Sequence, residues 1–315
     1  MDVRGLIGTG NHAVQASDLP VNDIENMDTF LMRQLPSAAD AYRTRPETVF
    51  FPARVFPSLC FYLQFLGVVL KAGFKAKYGR YDDAQWVCSS CAVLEALEGV
   101  GIRFEMTGME HIRNLREPCV LIANHMSVLE TVILPCIIQP VMKTTFIVKE
   151  SLLSYPVFGH VMRSRNPIAV GRRNPRLDLK MVLEGGTERL KEGISIIAFP
   201  QTTRTFSFDP AQFNTIGVKL ARKAEAPVVP IALLTDAWQN GKHLKDFGRI
   251  DTSRTVHFAF GEPIRIRGRG DAEHRAIIDF IVANLKKWKT ERQEDPHARA
   301  GIRQFPGFSN PRRNS

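Results

Sequence analysis

His125 and Glu130 lie five residues apart at a point where the chain changes character, in Val120-Leu-Ile-Ala-Asn124-His125-Met-Ser127-Val-Leu-Glu130. The apolar run predicts a strand, and Ser127 to Ile138 has the spacing of a helix that follows at once. In open α/β sheets ligands bind beyond the carboxyl ends of the strands, so His125 stands where a reactive residue would. Glu130, in the first turn of the helix, can reach back to the imidazole. A carboxylate on one ring nitrogen fixes the tautomer and makes the other nitrogen a better base. Such a pair can deprotonate an alcohol for attack on an acyl carbonyl. The same Ser127-Val-Leu-Glu130 is also a capping box, in which Glu130 closes the helix N-terminus. The sequence leaves both roles open, and one carboxylate with two oxygens can fill both.

The elements that must hold these residues follow from hydrophobic pattern. Short runs rich in Val, Ile and Phe occur at Val120–Ala123, Thr145–Val148, Ile168–Val170, Ser195–Phe199, Val228–Leu234 and Thr255–Phe260. Between them, Val128–Ile138, Arg176–Lys191 and Ile216–Ala224 have helical spacing. Alternation of this kind predicts an α/β fold with a mostly parallel central sheet flanked by helices. Ala272–Arg292 reads as a closing amphipathic helix with Ile277, Ile278, Ile281 and Leu285 on one side. The expected organisation is a flexible arm over 1–50, a helical membrane-associating segment over 51–100, the α/β domain over 101–292, and a disordered basic tail over 293–315.

In the second segment, Val55–Leu70 is apolar and is followed by Lys71, Lys75, Lys77 and Arg80. It is shorter than the ~20 residues of a bilayer span, and Pro57 and Gln64 interrupt it. An N-terminal helix docked in the membrane interface with trailing cations fits this pattern. A buried core helix and a short tilted span remain alternatives.

The chain has 315 residues, 42 Lys+Arg and 32 Asp+Glu, for a formal net charge of +10. The balance by segment is −3 over 1–50, +1 over 51–150 and +12 over 151–315. A basic second half calls for an anionic partner: phosphate, a membrane surface or nucleic acid. The basic segments lack interleaved aromatics, which weighs against nucleic acid. With 44% hydrophobic residues the chain can bury a core. Five scattered cysteines and no cleavable signal peptide point to a reducing, intracellular compartment. Gly8-Thr-Gly10-Asn-His-Ala13 matches a dinucleotide fingerprint as a string but lacks the flanking strand and helix. Cys88 and Cys91 have redox spacing but fall in an expected helix with no strand before it. No G-x-S-x-G elbow, P-loop or H-E-x-x-H is present.

Three further blocks join Asn124-His125. They are Phe146-Ile-Val-Lys149-Glu150-Ser-Leu152, Phe199-Pro-Gln201-Thr202-Thr203-Arg204-Thr205, and Val228-Val-Pro230-Ile-Ala232. In order and spacing the four resemble the glycerophospholipid acyltransferase family, over about Phe104 to Ile264. The resemblance implies that His125 is the general base on an acceptor hydroxyl and that Glu130 orients it and stabilises its charge. It places Asn124, Lys149, Arg172, Gln201, Thr202, Thr203 and Arg204 at the substrate, with Lys149 and Arg204 facing the acceptor phosphate and Pro230 on the acyl-donor side. The structural alternatives are that Arg204 pairs with a surface carboxylate and that Lys149 caps a strand end. The resemblance further implies no metal or cofactor and no acyl-enzyme. Acyl-CoA or acyl carrier protein is the donor co-substrate, a lysophosphatidate-like lipid the acceptor, and the cytoplasmic membrane face the location.

Three positions depart from the family pattern. Glu130 stands for Asp and adds a methylene between helix and imidazole. Gln201 stands for Glu and removes a charge beside the phosphate site. Thr202 stands for Gly, and a β-branched residue disfavours positive φ, so the turn there can follow another path. These departures motivate two other readings: a catalytically silent relative that binds anionic lipid or a partner, and the same chemistry on another acceptor.

Overall fold

The computed structural model describes residues 39–45, 49, 51–201, 203–242 and 244–294. In chain order these form β1 (Ala41–Arg43), α1 (Phe51–Val55), α2 (Pro57–Lys77), α3 (Asp83–Gly99), β2 (Arg103–Thr107) and α4 (Met109–Arg113). Next come β3 (Val120–Ala123), α5 (Leu129–Ile138), β4 (Thr144–Lys149), α6 (Phe158–Ser164), β5 (Ile168–Val170) and α7 (Pro175–Lys191). The chain closes with β6 (Ser195–Ala198), α8 (Ile216–Ala224), β7 (Val228–Leu234), β8 (Thr255–Phe260) and α9 (Asp271–Glu294).

All eight strands share one sheet in the order β1-β2-β8-β7-β3-β6-β4-β5. Pairing is parallel except for β1 with β2 and β7 with β8. The fold is therefore the α/β architecture with a mostly parallel sheet that the alternation predicts. β3, β6 and β7 are buried at every position, which is why they read as unbroken apolar runs. Successive side chains of β3 enter opposite layers. Leu121 and Ala123 pack in a core with α3 and α5, whereas Val120 and Ile122 pack in one with α7, α8 and α9. Pro230, which has no N–H, falls one position before the β7–β8 ladder begins at Ile231 and contributes only its carbonyl, which accepts from the Gly261 N–H at 2.8 Å.

Two strands and one helix differ from the sequence reading. β1 lies within the stretch expected to be a flexible arm, yet it pairs along the sheet edge, and the hydroxyls of Tyr42 and Thr44 donate to Glu98. The remainder of that arm, the Gly8–Ala13 string and the tail from 295 lie outside the described residues. β2 alternates polar and apolar as Arg-Phe-Glu-Met-Thr, a half-buried pattern that is weaker than a continuous run. α3, assigned to a membrane-associating segment, is a core helix: Trp86, Val93, Leu94 and Leu97 are buried. Its Cys91 is buried too, and that burial pushes the thiol well above its ordinary range. This excludes a reactive thiolate there.

The exposed apolar surface of this region therefore belongs to α1 and α2. Leu59, Leu63, Leu66, Leu70 and Phe74 recur at helical spacing and are all exposed. By length and composition α2 could cross a membrane. Its other face is committed to the protein, however, through the buried Phe61, Ala72 and Gly73. Gly73 meets Val157, the centre of a γ-turn (φ 63°, ψ −65°) closed by the Phe158 N–H donating to the Pro156 carbonyl at 2.6 Å. A Cβ on Gly73 would fall 2.3 Å from Val157 Cγ1. Gly73→Leu should therefore lever α2 away from the α/β domain and cost about 1–3 kcal/mol, seen as a lower urea midpoint. An unchanged midpoint would show that the contact is dispensable.

Candidate active site

The register of the sheet assembles the site. Ile122 pairs with Ala198, Ile197 with Phe146, and Ile147 with Ile168. Three residues beyond that row, His125, Gln201, Glu150 and Gly171 stand at one level on the carboxyl rim. Adjacent strands are about 4.8 Å apart, so Lys149 at the end of β4 lies two strand positions from β3, and Arg172 after β5 lies three, roughly 14 Å away. The fold sets Gln201 and Thr205 against the His125 backbone, places the Lys149 end of β4 two strands away, and leaves Arg172 beyond the far edge strand.

The His125 imidazole is stacked on Phe199 with ring centroids 4.3 Å apart, and its side chain is 16% exposed. Its Nδ1 lies 2.8 Å from Glu130 Oε1, which leaves Nε2 as the ring atom for a substrate. The backbone of His125 is also clamped. Its N–H donates to Gln201 Oε1 at 2.6 Å, and its carbonyl accepts from the Thr205 N–H at 3.1 Å.

Glu130 is fully buried and surrounded by donors. Besides the imidazole, its carboxylate accepts from the N–H groups of Met126 (2.6 Å) and Ser127 (2.9 Å) and from the Thr235 hydroxyl (2.6 Å). Burial alone would raise its pKa. The His125 hydrogen bond and charge, the Thr235 hydroxyl and the Ser127 N–H outweigh that and hold it below the ordinary carboxylate value. The two roles left open by the sequence are thus filled together: Ser127 Oγ accepts from the Leu129 N–H at 3.2 Å while Glu130 binds back to the Ser127 N–H. The extra methylene of Glu over Asp is absorbed without loss of the imidazole contact.

Thr235 escaped the sequence reading because nothing local to residue 235 marks it. It is placed by Asp236, whose carboxylate is held by Arg254 (2.7 Å) and by Arg292 of α9 through two nitrogens (2.7 and 3.0 Å).

Other expected substrate contacts have structural partners. Asn124 is buried, and its amide replaces a rung of ladder against β7, with Nδ2 donating to the Leu233 carbonyl and Oδ1 accepting from the Leu233 N–H, both at 2.8 Å. It pegs the β3 end in place rather than facing the cleft. Gln201 presents its Oε1 to the His125 backbone, a role a glutamate oxygen would fill equally. Arg204 is paired with Asp246 at 2.6 Å, the surface-carboxylate alternative of the sequence reading. Thr203 Oγ1 lies 3.5 Å from Lys245 Nζ. Lys149 is exposed at the strand end, Pro230 is buried within β7, and Thr202 lies outside the described residues. Among the described residues, no group of three or more His, Cys, Asp or Glu is placed to hold a metal ion.

A carboxylate-backed imidazole on the carboxyl rim of a sheet, with a guanidinium on the neighbouring loop, has the chemistry that a general base and an anion contact require. Residues 103–234 match the acyltransferase family model. A 1-acyl-sn-glycerol-3-phosphate acyltransferase of Pseudomonas aeruginosa is 32% identical over 69% of this chain and 78% of its own length. The human beta form of that enzyme is 25% identical over 57% of this chain and 62% of its own. The chloroplastic enzyme of Brassica napus is 30% identical over 41% of this chain and 37% of its own. The solved 1-acyl-sn-glycerophosphate acyltransferase of Thermotoga maritima superposes on 75% of this chain and 96% of its own, with a TM-score of 0.56 and 19% identity, a likeness of fold. The chain belongs to the acyltransferase family.

Asn124→Ala strands a buried N–H and a buried carbonyl of Leu233. It should cost about 2–4 kcal/mol in urea unfolding while leaving the acceptor KM of the folded enzyme unchanged; a raised KM with normal stability would restore Asn124 to the substrate. Glu130 gives a pH signature. Because its pKa is lowered on folding, its stabilisation is fully present above the ordinary carboxylate value and is lost as pH falls through the lowered value. The unfolding free energies of wild type and Glu130→Gln should therefore differ most at neutral pH and converge on acidification. A gap independent of pH would contradict this.

Proposed function

We propose that the enzyme transfers an acyl group from a thioester donor, acyl-CoA or acyl carrier protein, to the free hydroxyl of a lysophosphatidate-like acceptor in phospholipid synthesis. The observation that carries this reading is the His125–Glu130 pair, in which the carboxylate occupies Nδ1 and leaves Nε2 as the ring atom for a substrate. Nε2 takes the acceptor's hydroxyl proton as its oxygen attacks the thioester carbonyl carbon. Collapse of the tetrahedral intermediate breaks the C–S bond, and the departing thiolate takes the proton back from the imidazolium. Glu130 stays ionised and stabilises that imidazolium. The base comes from the chain itself, without a metal or cofactor and without an acyl-enzyme.

Arg204, once exchanged from Asp246 to the acceptor's phosphate, supplies a bidentate charge-assisted contact, and Lys149 adds a second cation. Holding the phosphate positions the hydroxyl, and such positioning accounts for a large share of a rate enhancement. The exposed stripe of α2 with Lys71, Lys75 and Lys77 suits peripheral seating in an anionic membrane, on the cytoplasmic face in keeping with the cysteine usage. That α2 is packed on the domain by Phe61, Ala72 and Gly73 supports lying on the bilayer over spanning it. The +12 balance of the second half is then a match for phosphate and lipid headgroups. Two of the three departures behind the silent-relative reading lose their force, because the replacements at 130 and 201 keep the hydrogen bonds that the pair and its clamp need; the third, Thr202, lies outside the described residues.

The test is release of free thiol from an acyl thioester in the presence of lysophosphatidate. His125→Ala should lower kcat by about 10²–10⁴ with an unchanged circular dichroism spectrum. Retained turnover would overturn the mechanism. Arg204→Ala should raise the acceptor KM at least tenfold, about 1.4 kcal/mol, with little change for the donor; an effect confined to the donor would remove its phosphate role.

A further inference from the structure

One segment touches both the membrane-facing helix and the site. Residues 238–242 and 244–250 form the two sides of a hairpin, closed by the bridge between Trp238 and Ile250 and by the Gln239 N–H donating to the Arg249 carbonyl at 3.0 Å. It is compact by necessity, since a Cβ at Gly248 would fall 1.7 Å from the Gln239 carbonyl oxygen.

One flank is bound to α2. Tyr62 Oη donates to the Gly248 carbonyl, the Ile250 N–H donates to Ser58 Oγ at 3.0 Å, and Trp238 packs edge-on against Phe61 at 4.7 Å. The other flank is bound to the site. Asn240 Nδ2 donates to the Met126 carbonyl at 3.1 Å, and Asp246 pairs with Arg204 while its own carbonyl accepts from Trp238 Nε1 at 3.1 Å.

The tip carries two large apolar side chains in the open: Leu244 is 66% and Phe247 54% exposed. Phe247 adjoins Tyr62, with ring centroids 5.5 Å apart, and so continues the α2 stripe on which Leu59 and Leu66 flank Tyr62. Lys242, Lys245 and Arg249 are exposed around the same tip, against a single acid, Asp246, that is turned onto Arg204. An apolar tip ringed by cations and continuous with an apolar helix face is complementary to an anionic bilayer.

We propose that this hairpin seats Leu244 and Phe247 in an anionic bilayer beside α2, and that its Asp246 occupies Arg204 until the acceptor's phosphate displaces it. The displaced carboxylate then lies at the lipid surface, and docking and acceptor capture are mechanically joined through one rigid segment. The second half of this inference rests on the proposed phosphate role of Arg204; the first does not.

The experiment uses the full chain, with vesicles of phosphatidylcholine alone or mixed with phosphatidylglycerol, and short-chain lysophosphatidate dissolved as monomers. Leu244→Ser/Phe247→Ser should lower co-flotation with the anionic vesicles about tenfold. It should lower turnover of vesicle-borne acceptor in parallel while keeping turnover of the dissolved acceptor. Co-flotation equal to wild type would overturn the seating. Asp246→Asn should lower the KM for dissolved lysophosphatidate several-fold; an unchanged or higher KM would make Asp246 a structural partner and overturn the latch. Asp246→Glu, which keeps the charge, should restore the wild-type KM and controls for misfolding. If wild type does not turn over lysophosphatidate at all, the proposed function fails, while the flotation result still decides the seating.

Discussion

A fully buried carboxylate needs donors, and the site is arranged around meeting the needs of Glu130. An isolated ionised group in that position would be strongly disfavoured. Here two backbone N–H groups, a hydroxyl and an imidazole nitrogen converge on it. Each of those donors is in turn fixed by something larger. Met126 and Ser127 follow β3, whose end is pegged to β7 by Asn124, and Thr235 follows β7, whose end is tied to α9 by Asp236 and Arg292. The sheet, the pegs and the ion pairs therefore share one consequence. They hold an ionised acid behind His125 and leave the outer ring nitrogen for chemistry.

The same constraint explains how the hydrogen bonds of the motif survive substitution. The carboxylate's function is to reach three points, the imidazole, the helix N-terminus and Thr235, and a glutamate reaches all of them. Gln201 needs only one oxygen to receive the His125 N–H. Both replacements alter charge or length at positions where the hydrogen bonds are nevertheless made.

What could be read from the sequence was governed by distance along the chain. β3, β6 and β7, buried on both faces, announce themselves as apolar runs, and the His125–Glu130 contact spans only five residues. β1 and β2 sit near the sheet edge with polar residues interleaved, so their pattern is weak. Asn124 pairs with Leu233, Glu130 with Thr235, and Arg204 with Asp246. Each is a meeting of distant segments that no local spacing encodes. The family resemblance placed Asn124 and Gln201 at the substrate, whereas their side chains brace the backbone that presents His125. Arg172 belongs to the same block as Lys149 in sequence, yet the strand order sets it at the far edge of the rim.

If Glu130 fixes the imidazole, the neutral ring of His125 must carry its proton on Nδ1 and keep Nε2 bare. Nitrogen-15 NMR of the ring reports this directly, because the protonated and bare nitrogens have widely separated shifts. The expected result is the Nδ1–H tautomer in the wild-type enzyme and a mixed or reversed tautomer in Glu130→Gln. An Nε2–H tautomer in the wild-type enzyme would contradict the assignment of His125 as the base.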